Sequence, residues 1–113
     1  MTDSETRRLR VALALVWAGD DIYHATVSVT VTDSGYALGN LYVGIPVGKV
    51  GLAETEYLAF DFTHKEGVSG DLVKTIEKTI DLKFSPARPN VTAFAVVNGS
   101  VVGQDTKPFP KRQ

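Results

Sequence analysis

Large apolar residues recur at every second position along the first part of the chain. Leu9, Leu13 and Trp17 belong to one such run, and after "AGDD" the alternation returns in "IYHATVSVTV" with Tyr23 and Val31 on the apolar side. A period of two is typical of a strand with one buried face. Because a short Gly-Asp turn separates the two runs, the pattern predicts a long β-hairpin over residues 7–31.

The opening stretch "RRLRVALALVWAG", residues 7–19, also fits two other interpretations. As a helix it would be apolar around nearly its whole circumference and would need burial on every side. As an export signal it has arginines before an apolar run and the small residues Val16 and Ala18, but the run is short and contains Trp17. The strand explains most positions, and we keep the export signal over residues 1–18 as the alternative.

Two further alternating segments follow. In "NLYVGIPVG", residues 40–48, glycine and proline share one face, which predicts an edge strand or a bulged strand. In "EYLAFDFTH", residues 56–64, Leu58, Phe60 and Phe62 alternate with smaller or polar residues, which predicts a strand with one apolar face.

Residues 71–84, "DLVKTIEKTIDLKF", fit two kinds of element. A helix would align a stripe made of Leu72, Val73, Ile76 and Ile80. A strand would place Ile76 and Leu82 on the same face as Lys74 and Lys78, and lysines that lean inward prevent an edge strand from pairing with another chain. We favour the strand because threonines are weak formers of an exposed helix face, and a short helix near 70–80 stays as the alternative.

The last hairpin is marked by Asn98-Gly99 in "VTAFAVVNGSVVGQDT", because this dipeptide suits a type I′ turn. About seven strands result, which predicts an all-β antiparallel sandwich, with a small β-barrel as the alternative. The run "VALALVWAGDDIYHATVSV" resembles the tryptophan-bearing B and C strands of fibronectin type III and immunoglobulin-like domains. "VTAFAVVNG" is similar to their F strand and F–G turn. The resemblance implies a sandwich of that type.

Composition limits the class of protein. The 113 residues suit one domain, 1–113, with 1–6 and 107–113 as flexible ends. Twelve basic and thirteen acidic residues leave a net charge of −1, so we expect no nucleic-acid partner. No apolar run reaches membrane-spanning length, and we expect no membrane partner. The absence of cysteine favours a reducing compartment, so we expect a cytoplasmic protein, or an exported one if 1–18 is cleaved.

The sequence offers little that indicates catalysis. His24 and His64 lie on different predicted strands without ligand spacing, so we expect no metal site and no cofactor. Asp61 and His64 are three residues apart, which on a strand sends them to opposite faces. No nucleophile motif is present. We therefore expect a protein that is not an enzyme; if it were one, Tyr23, Asp61 and His64 would be the candidate catalytic residues.

The function favoured by these observations is a binding or assembly domain. It would present loops, or a sheet edge near residues 41–48 or 72–78, to a protein partner or to a second copy of itself. The candidate binding residues are Tyr36, Tyr42 and Val43, which flank or lie in the glycine-rich region. The alternative is a small β-barrel that binds an apolar small molecule and catalyses a reaction on it.

Overall fold

Seven strands make up most of the described chain in a computed structural model that describes residues 9–31, 35–46, 48–64 and 73–110. They are β1 (Arg10–Gly19), β2 (Ile22–Val31), β3 (Tyr36–Val43), β4 (Thr55–His64), β5 (Lys74–Lys83), β6 (Asn90–Val97) and β7 (Ser100–Pro108). The described ranges contain no helix, so the helical interpretation of the opening stretch is wrong.

The strands form two sheets rather than one closed barrel. One sheet has the order β1-β2-β5 and the other the order β3-β4-β6-β7. Four ladders are antiparallel, as predicted, but β4 and β6 pair in parallel, which the sequence pattern did not indicate. The predicted all-β sandwich is therefore confirmed, and the β-barrel alternative is not.

The strand order differs from that of a constant-type immunoglobulin domain. In that domain the third strand lies beside the sixth, and the fourth belongs to the other sheet. Here β4 lies between β3 and β6. In addition, β1 and β2 pair within one sheet, whereas strands B and C of the immunoglobulin fold lie in different sheets.

The predicted turns have the backbone that their residues favour. Gly19 and Asp20 adopt positive φ values of 114° and 48° between β1 and β2, and Asn98 and Gly99 adopt 50° and 85° between β6 and β7. Asparagine, aspartate and glycine tolerate this region better than other residues. Both predicted hairpins are therefore present.

The alternating residues meet in a core between the sheets. Its fully buried members are Ala25, Val27, Val29, Leu58, Phe60, Val91, Ala93 and Ala95. Burying one large apolar side chain contributes about 1.5–3 kcal/mol. A slip of one residue in any ladder would turn all core-facing apolar side chains of that strand to the outer face. The alternation therefore also fixes the register.

The third strand lies earlier in the chain than its pattern predicts. It begins at Tyr36 and ends at Val43, because Gly44 turns the chain away with a φ of 153°. The register shifts between Leu38 and Leu41, which forms a bulge against β4. The edge position and the bulge were predicted correctly, whereas extension of the strand to residue 48 was wrong.

The fifth strand confirms the preferred interpretation of the ambiguous segment. Lys74–Lys83 is a strand, so the alternative of a short helix near 70–80 is wrong for these residues, and residues 70–72 lie outside the described ranges. Lys78 is paired with buried Val27 and Lys74 with buried Val31. Both lysines therefore extend from the core-facing side of β5, as the period of two requires.

The chain beyond β7 packs against the sandwich as far as Pro110. Phe109 N–H donates to Pro89 O at 2.9 Å, and Tyr23 OH donates to Pro110 O at 2.7 Å. The Phe109 ring lies 4.9 Å from that of Tyr23. Residues 107–110 thus pack against the domain, and the rest of the predicted ends, 1–6 and 111–113, lies outside the described residues.

Candidate functional site

Four strands, β1, β5, β3 and β7, lie at the edges of the two sheets, and they differ in what covers their outer backbone groups. On one flank of the sandwich β1 lies against β7, and on the other β5 lies near β3. An edge strand presents unpaired backbone N–H and C=O groups, which another chain can bind unless something blocks them. The covering of each edge therefore decides where a partner strand could add.

The β1/β7 flank is closed by hydrogen bonds between the two sheets. Leu9 N–H donates to Val102 O at 3.1 Å, and Leu13 N–H donates to Asp105 Oδ2 at 2.8 Å. Lys107 Nζ lies 3.4 Å from Leu13 O and 2.8 Å from Asp105 Oδ2. Side chains of β7 thus bind backbone groups that the edge of β1 would otherwise offer to another chain.

The pKa of Asp105 and the close packing at Gly103 are both consistent with a closed β1/β7 flank. Burial raises the pKa of the Asp105 carboxyl, but hydrogen bonds from Lys107 and from Leu13 N–H outweigh burial and leave that pKa lowered. Gly103 allows the close approach, because a Cβ there would collide with Leu9 O and lie 3.0 Å from Val11 Cγ2. Closure of this flank therefore depends on the Asp105 carboxylate and on the absence of a side chain at Gly103.

The edge strand β5 is blocked by its own charges. Five of its ten residues are charged, namely Lys74, Glu77, Lys78, Asp81 and Lys83. The outward-facing side chains are also engaged, since Ser28 Oγ donates to Glu77 at 3.1 Å and His24 Nδ1 lies 2.6 Å from Asp81. Inward lysines and a charged outer face oppose the addition of another strand.

The edge strand β3 carries no charged residue in its sequence "YALGNLYV". Gly44 N–H donates to Tyr57 O at 2.8 Å, and backbone groups alternate in direction along an antiparallel ladder. The N–H and C=O groups of Leu41 and Val43 therefore point away from β4. β3 thus has outward backbone groups without the charged side chains that block β5.

Apolar side chains cluster where β3 ends. Tyr42 is 36% exposed, Val43 49% and Ile45 42%. Burial and, secondarily, the nearby Asp61 carboxylate raise the pKa of the Tyr42 hydroxyl, so this group is neutral at physiological pH. We name Leu41–Ile45 the open edge segment.

The three predicted binding residues do not all lie together. Tyr42 and Val43 lie in the open edge segment, as their position in the glycine-rich region suggested. Tyr36 lies at the other end of β3, beyond the bulge, where its ring is half-buried and 4.4 Å from the ring of His64. The structure therefore groups two of the three candidates and separates the third.

The three residues named as catalytic candidates lie in separate places. Tyr23 is 1% exposed and hydrogen-bonds to the backbone near the end of the chain. Asp61 faces away from the core on β4, with the same parity as Tyr57. His64 lies on the opposite face of β4, as the three-residue spacing predicts, and its backbone N–H donates to Asn98 Oδ1 at 3.0 Å. No shared reaction centre results from these positions.

Within the described ranges, no group of three acidic, histidine or cysteine side chains is placed to hold a metal ion. The same part of the chain has no helix with the length and apolarity to cross a membrane. Comparison with protein-family models, with curated proteins and with solved structures finds no match to this chain.

Sequence reasoning missed residues that matter at both flanks of the sandwich. Ile45 was assigned to the strand but not to the binding residues, and its exposure follows from the turn at Gly44. The local sequence pattern did not indicate that Asp105 and Lys107 close the opposite flank. The available signal was a charged pair near the end of an otherwise apolar hairpin, but its target on β1 is 92 residues away.

Proposed function

We propose that this protein is a non-enzymatic assembly domain, in which two copies pair through the open edge segment of β3. The single observation that carries the proposal is the uncharged edge strand with outward-facing backbone groups at Leu41 and Val43. Addition of a strand at such an edge is a common mode of protein recognition.

The other edges support this choice by elimination. β1 and β7 bind each other through Leu9, Leu13 and Asp105. β5 has a charged residue at half of its positions. A partner strand would meet desolvation of charge or loss of existing hydrogen bonds at each of these edges, whereas the described residues present neither obstacle at Leu41 and Val43 of β3.

A second copy of the chain fits the edge by its charge pattern. Two β3 strands related by a twofold axis would run antiparallel, with Tyr42 and Val43 of each copy in the interface. Like charges placed opposite one another destabilise a strand pair, and β3 has none to bring together. Twofold dimers are also the commonest symmetric assemblies.

The bulge limits the strength of this dimer. Because the register shifts between Leu38 and Leu41, the regular edge is confined to the few residues before the turn at Gly44. An interface this short falls at the low end of specific protein interfaces, below about 1,200 Å² in total. We therefore expect a reversible dimer whose population rises with protein concentration.

The experiment compares two substitutions at one position by sedimentation equilibrium and light scattering. Val43→Pro removes an outward N–H without removing a bond between β3 and β4. Val43→Thr keeps the N–H and the branched shape. We expect the wild type and Val43→Thr to dimerise with increasing concentration, and Val43→Pro to remain a monomer with the same fold by circular dichroism.

Two outcomes would contradict the proposal. One is a wild-type protein that stays monomeric at every accessible concentration. The other is a dimer that Val43→Pro leaves unchanged, which would place the interface elsewhere.

We also infer that the protein retains residues 10–19 rather than losing them as part of an export signal. This inference is supported by the place of β1 in the sandwich, because cleavage after Ala18 would remove nearly a whole strand together with buried Leu13. Mass spectrometry of the protein from its native source tests it, and a mature chain that begins near residue 19 would contradict it.

A further inference from the structure

The sheet that contains β3 has a second buried cluster on the face turned away from the core. Tyr57 and Ala59 of β4 pack there with Phe94 and Val96 of β6, and all four are less than 9% exposed. The outer face of a sandwich is usually polar, so this apolar patch needs a cover.

Part of the cover is the β3–β4 loop, residues 44–54, of which 47 lies outside the described residues. Leu52 N–H donates to the Tyr57 hydroxyl oxygen at 2.8 Å. Gly51 lies so close to the sheet that a Cβ there would be 2.7 Å from the Tyr57 ring. These contacts hold the loop over Tyr57 but not over the whole patch.

Between the loop and the sheet lies an open groove of about 440 Å³. Its floor includes Phe94, Thr92 and Gln104, and its loop side includes Lys49 and Glu54. This volume lies within the range of about 300–1,000 Å³ that is typical of sites for small molecules. The groove lies outside the sandwich, so it differs from the barrel interior considered for an apolar ligand.

The floor combines aromatic rings with uncharged polar groups. The rings of Tyr57 and Phe94 are nearly parallel, with an angle of 8° between their planes and 5.8 Å between their centroids. The side-chain amides of Asn90 and Gln104 line the groove, and neither has a hydrogen-bond partner among the described residues. Each amide supplies both a donor and an acceptor.

Two hydroxyl groups add to this polar set. Tyr57 accepts the Leu52 N–H, which leaves its own proton able to reach an acceptor in the groove. Thr92 Oγ1 and Thr106 Oγ1 lie 2.7 Å apart, and each oxygen retains capacity for a further bond. The groove can therefore donate to and accept from one ligand at several points.

The charges of the lining restrict the ligand class. The charged residues in the described lining are one lysine, Lys49, and one glutamate, Glu54, whose charges cancel. The groove therefore has no excess of positive charge with which to hold a phosphate or carboxylate. A purely apolar ligand would leave the amides of Asn90 and Gln104 without partners, which is costly once water is displaced. A neutral ligand with many hydroxyl groups and an apolar face satisfies both conditions.

We propose that this groove binds a neutral polyhydroxylated ring, the chemical class of a pyranose sugar. An apolar C–H edge of the ring would lie against the exposed part of the Phe94 ring, and its hydroxyl groups would pair with the Tyr57 hydroxyl and with the amides of Asn90 and Gln104. This site is separate from the open edge segment, so it does not depend on dimer formation.

The experiment titrates the full-length protein with the methyl glycosides of glucose, galactose and mannose and with N-acetylglucosamine. Proton–nitrogen NMR spectra report the side-chain amides of Asn90 and Gln104 directly. We expect at least one sugar to shift both amides in a saturable way. Cyclohexanol, a ring with a single hydroxyl group, should not produce these shifts.

Variants locate the site. Gln104→Leu removes an exposed amide and keeps a similar volume, so the domain should fold, and we expect it to weaken binding about tenfold. Thr79→Val, on the outer face of the opposite sheet, should leave binding unchanged. Val43→Pro should bind sugar like the wild type, which separates this proposal from the dimer.

Absence of a saturable shift with all four sugars would overturn the proposal. So would equal shifts from cyclohexanol, which would assign the groove to apolar rings. Sugar binding that Gln104→Leu does not weaken would place the site elsewhere.

Discussion

The two flanks of the sandwich differ in how their edge strands are protected from pairing with another chain. On one flank, β7 covers the edge of β1, because Asp105 accepts from Leu13 N–H and Lys107 donates to Leu13 O. On the other flank, β5 is blocked by charge, whereas β3 carries no charged residue and, within the described ranges, pairs with no strand on its outer side. Unprotected edges promote association with other chains, so the two flanks should respond differently to substitution.

The largest effect should come from opening the closed flank. Gly103→Ala places a methyl group against the backbone of Leu9, which cannot move without leaving β7. We expect the free energy of unfolding to fall by about 2–3 kcal/mol, measured by urea denaturation. Ser100→Ala, at an exposed position of the same strand, is the control and should change little. Equal stabilities of the two variants would show that the close approach is unimportant.

Removal of the carboxylate on that flank should have a smaller effect. Asp105→Ala leaves Leu13 N–H and Lys107 without their partner. We expect a loss of about 1–2 kcal/mol in the free energy of unfolding. Asp81→Ala removes the exposed partner of His24 and should stay within about 0.5 kcal/mol of the wild type. A larger loss from Asp81→Ala would reverse the ranking of the two flanks.

The same carboxylate should make the stability depend on pH. The pKa of Asp105 is lowered in the folded state, so its contribution is complete at pH values above the ordinary carboxyl pKa. The contribution is lost as the pH falls through the lowered folded-state pKa. We expect the stability difference between the wild type and Asp105→Asn to shrink on acidification from neutral pH. A difference that grows in acid would contradict this sign.

Substitution of a lysine on β5 should change the free energy of unfolding least, but it should change the association of the protein. Lys78 is exposed although it extends from the core-facing side, opposite Val27. Lys78→Val should leave the free energy of unfolding within about 0.5 kcal/mol and should increase light scattering at high concentration. Lys83→Val makes the same charge change on the outer face and should scatter less. Similar scattering by the two variants would mean that net charge, rather than the inward lysine, protects this edge.

Much of the sandwich could be predicted from local pattern. A period of two assigned the buried faces of β1, β2 and β4, and Asn98-Gly99 located the last hairpin. The pattern also placed Lys74 and Lys78 on the core-facing side of β5. These features depend on neighbours in sequence, which is why one sequence is sufficient to predict them.

Features that depend on distant neighbours could not be predicted. The parallel pairing of β4 with β6 joins residues such as Leu58 and Ala93, and no local pattern encodes it. The end of β3 was misplaced because "YVGIPV" alternates without a break, whereas the backbone turns at Gly44. The groove depends on both, since Tyr57 and Phe94 become neighbours only after β4 and β6 pair.

Amide hydrogen exchange at Val43, measured by NMR at low and high protein concentration, tests the assembly proposal most directly. The Val43 N–H points outward from β3, and the Thr79 N–H points outward from β5, because Phe84 N–H is directed at Asp21. We expect exchange at Val43 to slow as concentration rises, while exchange at Thr79 stays constant. Fast exchange at Val43 at every concentration would contradict the assignment of β3 as the assembly edge.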